Sequence, residues 1–222
     1  IGLTKRISIG IEGDARQVAE QILGQLSSDA GDAGRAEREE LVRKTKAGWQ
    51  NTLAEMDHEE DDPGTTWNER ARGREPNRMS ARHAWRAIIE ALPKDAIISS
   101  DIGNNCAIGN AYPSFEEGRK YLAPGLFGPC GYGFPSIIGA KIGCPDTPVV
   151  GFAGDGAFGI SMSEMSSIGR DEWPAVTMVV FRNYQWGAEK RNTTLWFDDN
   201  FVGTELDRNV SYARVAEGCG LK

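Results

Sequence analysis

The chain has 222 residues, of which 40% are hydrophobic and 27 are glycine, and its formal net charge is −7. This composition can form a sizeable core, which excludes disordered and collagen-like proteins, and the acidic balance disfavours a nucleic-acid partner. The longest apolar runs are far shorter than the roughly 20 residues of a transmembrane helix, so no membrane span is predicted.

A short strand and a helix are the first predicted elements. Ile7, Ile9 and Ile11 alternate with other residues in the pattern of a strand, and Asp14 is suited to cap the helix that follows. The length corresponds to about one and a half domains, and the first residue is not Met, so we expect a fragment of a longer chain. We interpret residues 1–30 as the end of a preceding domain.

Residues 31–79 are rich in charge and show no strand pattern, which predicts a connector. One helix is predicted inside it, from four apolar residues at helical spacing: Val42, Trp49, Leu53 and Met56. The pattern leaves two alternatives open. The helix packs against a neighbouring domain or subunit, or it lies solvated in a linker.

Residues 80–222 alternate helix and strand patterns, which predicts a doubly wound parallel sheet. In chain order the elements are a helix ending at Pro93, a strand at 96–100, a helix at 135–141, a strand at 148–153, a helix at 161–170 and a strand at 175–181. Ligands of such sheets bind at the carboxyl ends of the strands, where the strand order reverses.

Polar residues follow three of the predicted strands. The segments are Asp101-Ile102-Gly103-Asn104-Asn105, Gly154-Asp155-Gly156-Ala157 and Arg182-Asn183-Tyr184-Gln185. Since parallel strands end at one edge, we expect Asp155 and Asn183 to converge. Carboxylate and amide oxygens suit Mg²⁺, and glycines before a helix start suit an anion. The segments therefore predict a metal-bridged diphosphate, with a simple turn as the alternative for Gly154-Asp155-Gly156.

A second glycine cluster, Gly128 to Gly133, runs into Pro135 at a helix start. It is either a tight turn for close packing of helix on sheet or a loop that presents backbone groups to a ring. The four cysteines, Cys106, Cys130, Cys144 and Cys219, form no CxxC pair and accompany only two histidines. This disfavours a disulfide scaffold or zinc site and favours a reducing cytoplasm.

These segments resemble the thiamin diphosphate-dependent enzyme superfamily. Gly154-Asp155-Gly156 with Asn183 beyond the next strand is similar to its cofactor motif, and residues 127–140 are similar to the glycine-rich segment before that motif. The resemblance extends over about residues 79–222. Strings at 101–104, 127–132 and 185–190 are similar to the sulfoacetaldehyde acetyltransferases within this superfamily.

The resemblance implies roles for individual residues. Mg²⁺ would be bound by Asp155, the side chain of Asn183 and the backbone carbonyl of Gln185. The cofactor would be bound by Asn104, Asn105, Gly128, Cys130, Gly154, Asp155, Gly156, Ala157 and Asn183. Gly128 would accept a hydrogen bond from the aminopyrimidine. Cys130, expected as a compact buried thiol, would replace the larger side chain that wedges the cofactor into its bent shape. Arg182 stands where the motif usually has a first Asn.

The resemblance also implies conversion of sulfoacetaldehyde and phosphate to acetyl phosphate and sulfite, in a homodimer or homotetramer with its active site between subunits. The superfamily's activating glutamate comes from another domain, so no catalytic residue is assigned in this chain, and the chain alone is expected to be inactive. Residues 1–30 would end the family's middle domain, and residues 80–222 would be its cofactor-binding C-terminal domain, incomplete at its end.

Three questions stay open on the sequence. Lys190 and Arg191 either hold an anionic substrate or form a solvated basic pair. The enzyme could be another thiamin diphosphate-dependent carboligase or decarboxylase of the acetolactate synthase type. Alternatively, the chain is a non-catalytic domain that binds a metal and a nucleotide.

Overall fold

The computed structural model describes residues 6–26, 34–61, 81–115, 118, 120–170 and 172–222, with the backbone alone for 57–61. The chain divides into two compact units, residues 1–58 and residues 59–222. The domain boundaries predicted after residues 30 and 79 adjoin segments outside the described residues, and they stay predictions.

The first unit contains helix α1 (Ala15–Gln25) and most of helix α2 (Arg35–Asp61). Asp14 caps α1 as predicted, since its carboxylate accepts from the Gln17 N–H at 3.0 Å. The strand predicted around Ile7, Ile9 and Ile11 is wrong, because residues 6–13 form no strand and these side chains are 46%, 79% and 54% exposed. A strand needs a partner for its backbone groups, and the described strands form backbone ladders only with one another.

The helix predicted in the connector is confirmed as part of α2. Of its four apolar residues only Leu53 is buried, whereas Val42, Trp49 and Met56 are exposed. Ion pairs at helical spacing, such as Arg35 with Glu39 at 2.8 Å, lie on its surface. A partner for the rest of the stripe stays a prediction.

The second unit is built on a four-stranded parallel sheet, which confirms the predicted fold class. Its strands are β1 (Ile97–Ser100), β2 (Tyr121–Leu122), β3 (Val149–Gly154) and β4 (Thr177–Phe181). They lie in the order β2-β1-β3-β4. The chain leaves β1 toward β2 on one side and later adds β3 and β4 on the other, so the order reverses between β1 and β3. Strand β2, with two residues, is too short for a sequence pattern.

Seven helices and one 3₁₀ turn belong to the described part of this unit. The helices are α3 (Ala81–Ala91), α4 (Asn104–Gly109), α5 (Gly133–Gly143), α6 (Asp155–Ser161), α7 (Met165–Ile168), α8 (Gly187–Trp196) and α9 (Tyr212–Gly218), with the 3₁₀ turn at Met162–Glu164. The helix predicted at 161–170 is wrong in its start, because helical structure begins at Asp155. Gly156 and Gly159 have low helix propensity and conceal that start in the sequence.

Apolar residues cover both faces of the sheet, because successive strand residues point to opposite sides. On one face Ile97, Val149 and Ala153 pack against α5, α6 and α7. On the other face the fully buried Trp85 of α3 packs against Phe152, with ring centroids 4.2 Å apart and the rings tilted by 36°. Helices thus occupy both faces, which leaves the carboxyl edge of the strands for a site. In the described part of the chain, every helix is too short or too polar to cross a membrane.

Candidate functional site

The carboxyl ends of β3 and β4 meet at a buried carboxylate. Gly154 at the end of β3 pairs with Phe181 at the end of β4. Asp155 follows directly and is 2% exposed, and its Oδ2 accepts from the Tyr184 N–H at 2.8 Å. The parallel arrangement therefore brings the Asp155 and Asn183 segments together, as the sequence predicts.

The turn after β4 contains a residue in an unusual conformation. Tyr184 has φ 61°, in the left-handed region that residues other than glycine seldom adopt. It is held on both sides, by Asp155 at its N–H and by the Leu206 N–H at its carbonyl, 2.8 Å away. The exposed side chain of Asn183 closes the turn by accepting from the Gln185 N–H at 3.2 Å.

A short antiparallel contact determines the direction in which the backbone carbonyl of Gln185 points. Gln185 lies opposite Glu205, between the bond from the Trp186 N–H to Thr204 and the bond from the Leu206 N–H to Tyr184. A residue at such a position turns its own N–H and C=O away from the partner segment. The carbonyl of Gln185 is therefore left available on the side away from Glu205.

The end of β1 reaches the same place through Asn104. A Cβ on Gly187, at the start of α8, would lie 2.8 Å from Nδ2 of Asn183 and 3.0 Å from Nδ2 of Asn104. Both side-chain amides thus crowd against one glycine. The neighbouring Asn105 is buried, and its Nδ2 donates to Ser100 at 3.3 Å, while its Oδ1 has no partner among the described residues.

Gly156 is a second point of close approach. A Cβ there would lie 2.8 Å from the ring of Trp186, so the indole lies against the backbone of the first turn of α6. Gly156 and Ala157 are both buried. Their N–H groups belong to the first turn of a helix, where backbone donors lack partners within the helix.

Tyr212 of α9 supports this turn from its other side. Its hydroxyl donates to the backbone carbonyl of Asp155 at 2.9 Å. Burial, and then the nearby charge of Asp155, raise the pKa of Tyr212, so the hydroxyl stays protonated at neutral pH and remains a donor.

The second glycine cluster is a loop tied to the end of β1. Gly128 and Gly131 have φ 63° and 88°, which other residues rarely adopt. The carboxylate of Asp101, with no exposed surface, accepts from Gly131 N–H at 3.1 Å and from Gly133 N–H at 2.7 Å. Sequence reasoning assigned no role to Asp101. An acidic residue directly after a buried strand was the available signal.

Cys130 lies at the tip of this loop and is exposed, so the expectation of a buried thiol is wrong. The loop carries it outward between Gly128 and Gly131 without covering it. Partial removal from water, followed by the charges of Asp101 and Glu189, raises the pKa of the Cys130 thiol. The expected low thiolate character at neutral pH therefore holds.

Lys190 is engaged within the chain. Its ammonium contacts Oε1 of Glu205 at 2.5 Å and lies 5.0 Å from the centre of the Phe201 ring. Hydrogen bonding from Lys190 is the first cause that lowers the pKa of Glu205. The neighbouring Arg191 is exposed. These contacts favour a structural role for Lys190 over the holding of a substrate anion.

In the part of the chain that the structure describes, no three His, Cys, Asp or Glu side chains are grouped so that they could hold a metal ion. A cation at this edge would depend on Asp155 together with neutral amide and carbonyl oxygens. Such all-oxygen sets suit hard divalent ions.

Residues 101–222, more than half of the chain, match the family described as "Thiamine pyrophosphate enzyme, C-terminal TPP binding domain". The chain belongs to this family. The matched segment begins at Asp101 and includes all three strand ends of the site. Thiamine pyrophosphate, here called thiamin diphosphate, is the cofactor of this family.

Two relatives in the thiamine pyrophosphate enzyme family align with the whole chain. A protein from Rhizobium meliloti (strain 1021), named as a probable sulfoacetaldehyde acetyltransferase, is 75% identical over 222 residues. A sulfoacetaldehyde acetyltransferase from Roseovarius nubinhibens is 74% identical over the same length. The alignments cover 100% of this chain but only 38% and 37% of those proteins.

A solved structure is similar in fold. The thiamine diphosphate-dependent 4-hydroxybenzoylformate decarboxylase of Rhodococcus jostii RHA1 superposes with a TM-score of 0.59 and 21% identity. The superposition covers 64% of this chain and 26% of that one. At this identity the likeness concerns the fold alone.

Proposed function

We propose that this chain is the cofactor-binding part of a sulfoacetaldehyde acetyltransferase, which converts sulfoacetaldehyde and phosphate to acetyl phosphate and sulfite. The observation that carries the proposal is the meeting of three strand ends at Asp155, where Asn183 and Asn104 crowd against Gly187. The choice of substrate is supported by the 75% identity over the whole chain.

Mg²⁺ would be held by the carboxylate of Asp155, the side chain of Asn183 and the carbonyl of Gln185. All three donors are oxygens, and the carbonyl of Gln185 is turned away from its partner segment, so the set fits a small hard cation. One carboxylate neutralises only part of a divalent charge. The remaining coordination positions therefore suit water and diphosphate oxygens.

The diphosphate would lie along Gly154, Gly156 and Ala157 and against the side chains of Asn104 and Asn105. A side chain on Gly156 would meet the ring of Trp186, so this position requires a glycine. The N–H groups of Gly156 and Ala157 would donate to the diphosphate from the first turn of the helix, and in this structure the N–H of Gly156 donates to Oδ1 of Asp155 at 3.2 Å.

The glycine loop would hold the aminopyrimidine, through the carbonyl of Gly128 and the side chain of Cys130. When bound, thiamin diphosphate supplies a nucleophilic thiazolium carbon. The chain's own contribution is to orient the cofactor, since Cys130 stays a neutral thiol at pH 7 and does not compete as a nucleophile. We assign no catalytic acid or base to these residues.

Calorimetry on the full-length protein that carries this chain tests the cofactor assignment. With Mg²⁺ present, we expect binding of thiamin diphosphate but not of ADP, and loss of binding in Asp155→Asn. Asp146→Asn, at an exposed aspartate away from the strand ends, is the matched control. Binding of ADP in place of thiamin diphosphate would support a nucleotide-binding domain instead.

Turnover tests the substrate. Sulfoacetaldehyde with phosphate is expected to release sulfite and acetyl phosphate in equal amounts, and pyruvate is expected to react poorly. A preference for pyruvate with formation of acetolactate would replace the proposal by a carboligase of the acetolactate synthase type.

We further propose a homodimer or homotetramer with the site between subunits, in a reducing cytoplasm. Leu126 and Phe127, directly before the glycine loop, are 108% and 93% exposed, which supports a partner surface there. The four cysteines are free, which supports a reducing compartment.

Light scattering of the full-length protein and of Phe127→Ser tests the proposed assembly of subunits. A monomeric wild-type protein would contradict it.

A further inference from the structure

We propose that Asp101 is a positioning residue that fixes the distance between the glycine loop, residues 128–133, and the end of β1. At this distance the loop would contact the aminopyrimidine ring of the cofactor. This inference rests on the proposed function, because it assigns the loop to the aminopyrimidine half of thiamin diphosphate. Asp101 itself touches neither half of the cofactor in this proposal. It acts through the backbone of Gly131 and Gly133.

The contacts of Asp101 are directed at the loop. Its Oδ2 accepts from the Gly133 N–H at 2.7 Å, and its Oδ1 accepts from Gly131 at 3.1 Å and from Ile102 at 2.9 Å. The side chain has no exposed surface. A buried carboxylate is costly unless such donors surround it, so the loop and the carboxylate stabilise each other.

The glycine loop is packed closely against Asp101, so its distance from the end of β1 depends on this residue. A Cβ on Gly133 would lie 3.0 Å from Cβ and 3.1 Å from Oδ2 of Asp101, so the loop approaches β1 as closely as a glycine allows. At the other end of the loop, Gly128 lies near the side chain of Ile102, which follows Asp101. Both ends of the loop are thus in contact with the residues that follow β1.

The substitution Asp101→Asn tests the hydrogen bonds specifically, because asparagine has nearly the same size as aspartate. Its NH₂ group is a donor, and it would face the N–H of Gly131 or Gly133, which are also donors. One loop N–H would then be buried without a partner. The loop is expected to move away from the end of β1. The segments around Asp155 keep their own bonds to Tyr184 and Tyr212.

The test separates the two halves of the cofactor in the full-length protein. Affinities for thiamin diphosphate and for inorganic pyrophosphate, each with Mg²⁺, are measured in wild type, Asp101→Asn and the control Asp146→Asn. We expect Asp101→Asn to weaken thiamin diphosphate binding by about tenfold or more, while pyrophosphate binding stays within about twofold of wild type.

Equal affinity of Asp101→Asn and wild type for thiamin diphosphate overturns the inference. An equal loss for both ligands also overturns it, because that result indicates a general structural role. Wild type that binds pyrophosphate but not thiamin diphosphate overturns the proposed function itself. If Asp101→Asn does not fold, Gly133→Ala pushes the same loop away from the end of β1 and keeps the carboxylate. This variant must then lose affinity for thiamin diphosphate but not for pyrophosphate.

Discussion

Gly187→Ala is expected to impair cofactor binding without harming the fold. Gly187 begins α8 in a backbone conformation that alanine also adopts, so the substitution introduces no backbone strain. The added methyl group, however, would lie 2.8 Å from Nδ2 of Asn183 and 3.0 Å from Nδ2 of Asn104. An ordinary contact at these atoms is about 3.5 Å, so the amide of Asn183 must withdraw by about 0.7 Å and that of Asn104 by about 0.5 Å.

The cost of this withdrawal depends on what the amides do. Asn183 is exposed and can turn into solvent, so we expect the free energy of unfolding to change by no more than about 0.5 kcal/mol. In the proposed site the same amides must hold Mg²⁺ and diphosphate. Crowding of a fixed arrangement costs about 1–3 kcal/mol, which corresponds to about 5- to 150-fold weaker cofactor binding.

Urea unfolding of the chain and calorimetric titration of the full-length protein with thiamin diphosphate and Mg²⁺ measure the two quantities. Gly139→Ala is the matched control, because Gly139 also lies in a helix and a Cβ there meets nothing within 4 Å. Wild-type cofactor affinity in Gly187→Ala would refute the assignment of Asn104 and Asn183 to the site.

Substitutions at the proposed metal ligands, at Cys130 and at Trp85 test the site and the core. Asp155→Ala should abolish Mg²⁺-dependent binding of thiamin diphosphate in calorimetry, and Asn183→Ala should weaken it less because a neutral ligand is lost; wild-type affinity in either would contradict the metal site. Cys130→Ser should bind the cofactor nearly normally, while Cys130→Ala should slow hydrogen–deuterium exchange at the thiazolium carbon with unchanged Mg²⁺ affinity. Because burial raises the pKa of the Cys130 thiol, its alkylation by iodoacetamide should reach its plateau at a higher pH than that of free cysteine, and a plateau at the same or a lower pH would contradict this. Trp85→Ala should lower the free energy of unfolding in urea by about 3–5 kcal/mol, and a loss below about 1 kcal/mol would contradict its place in the core.

The elements that the sequence predicted correctly have strong local patterns. Strands β3 and β4 are short and mostly apolar, and β1 begins with two isoleucines. A general rule places the ends of parallel strands at one edge. That rule alone was sufficient to bring Asp155 and Asn183 together. The strand predicted at 7–11 also had a local pattern, an alternation of isoleucine with other residues, and it is wrong, because a pattern does not supply the neighbour with which a strand must pair.

The contacts that sequence reasoning missed join residues far apart in the chain. Asp101 bonds to Gly133 across 32 residues, and Lys190 bonds to Glu205 across 15. Neither pair has a spacing that periodicity detects. The crowding at Gly187 is of the same kind, since it depends on two side chains that arrive from different strands.

Arg182 shows how a departure from the usual motif is compatible with the site. The guanidinium of Arg182 donates to the carbonyls of Arg208 and Val210, and it lies 4.5 Å from the centre of the Tyr184 ring and 5.5 Å from that of Tyr212. Both tyrosines bond to Asp155, one through its N–H and one through its hydroxyl. The arginine therefore links the segment before α9 to the turn that carries Asn183. Because Arg182 packs against the Tyr184 ring, the residue that replaces the first Asn supports the turn. The second Asn, Asn183, keeps its place after β4, where the proposed site assigns it to the metal.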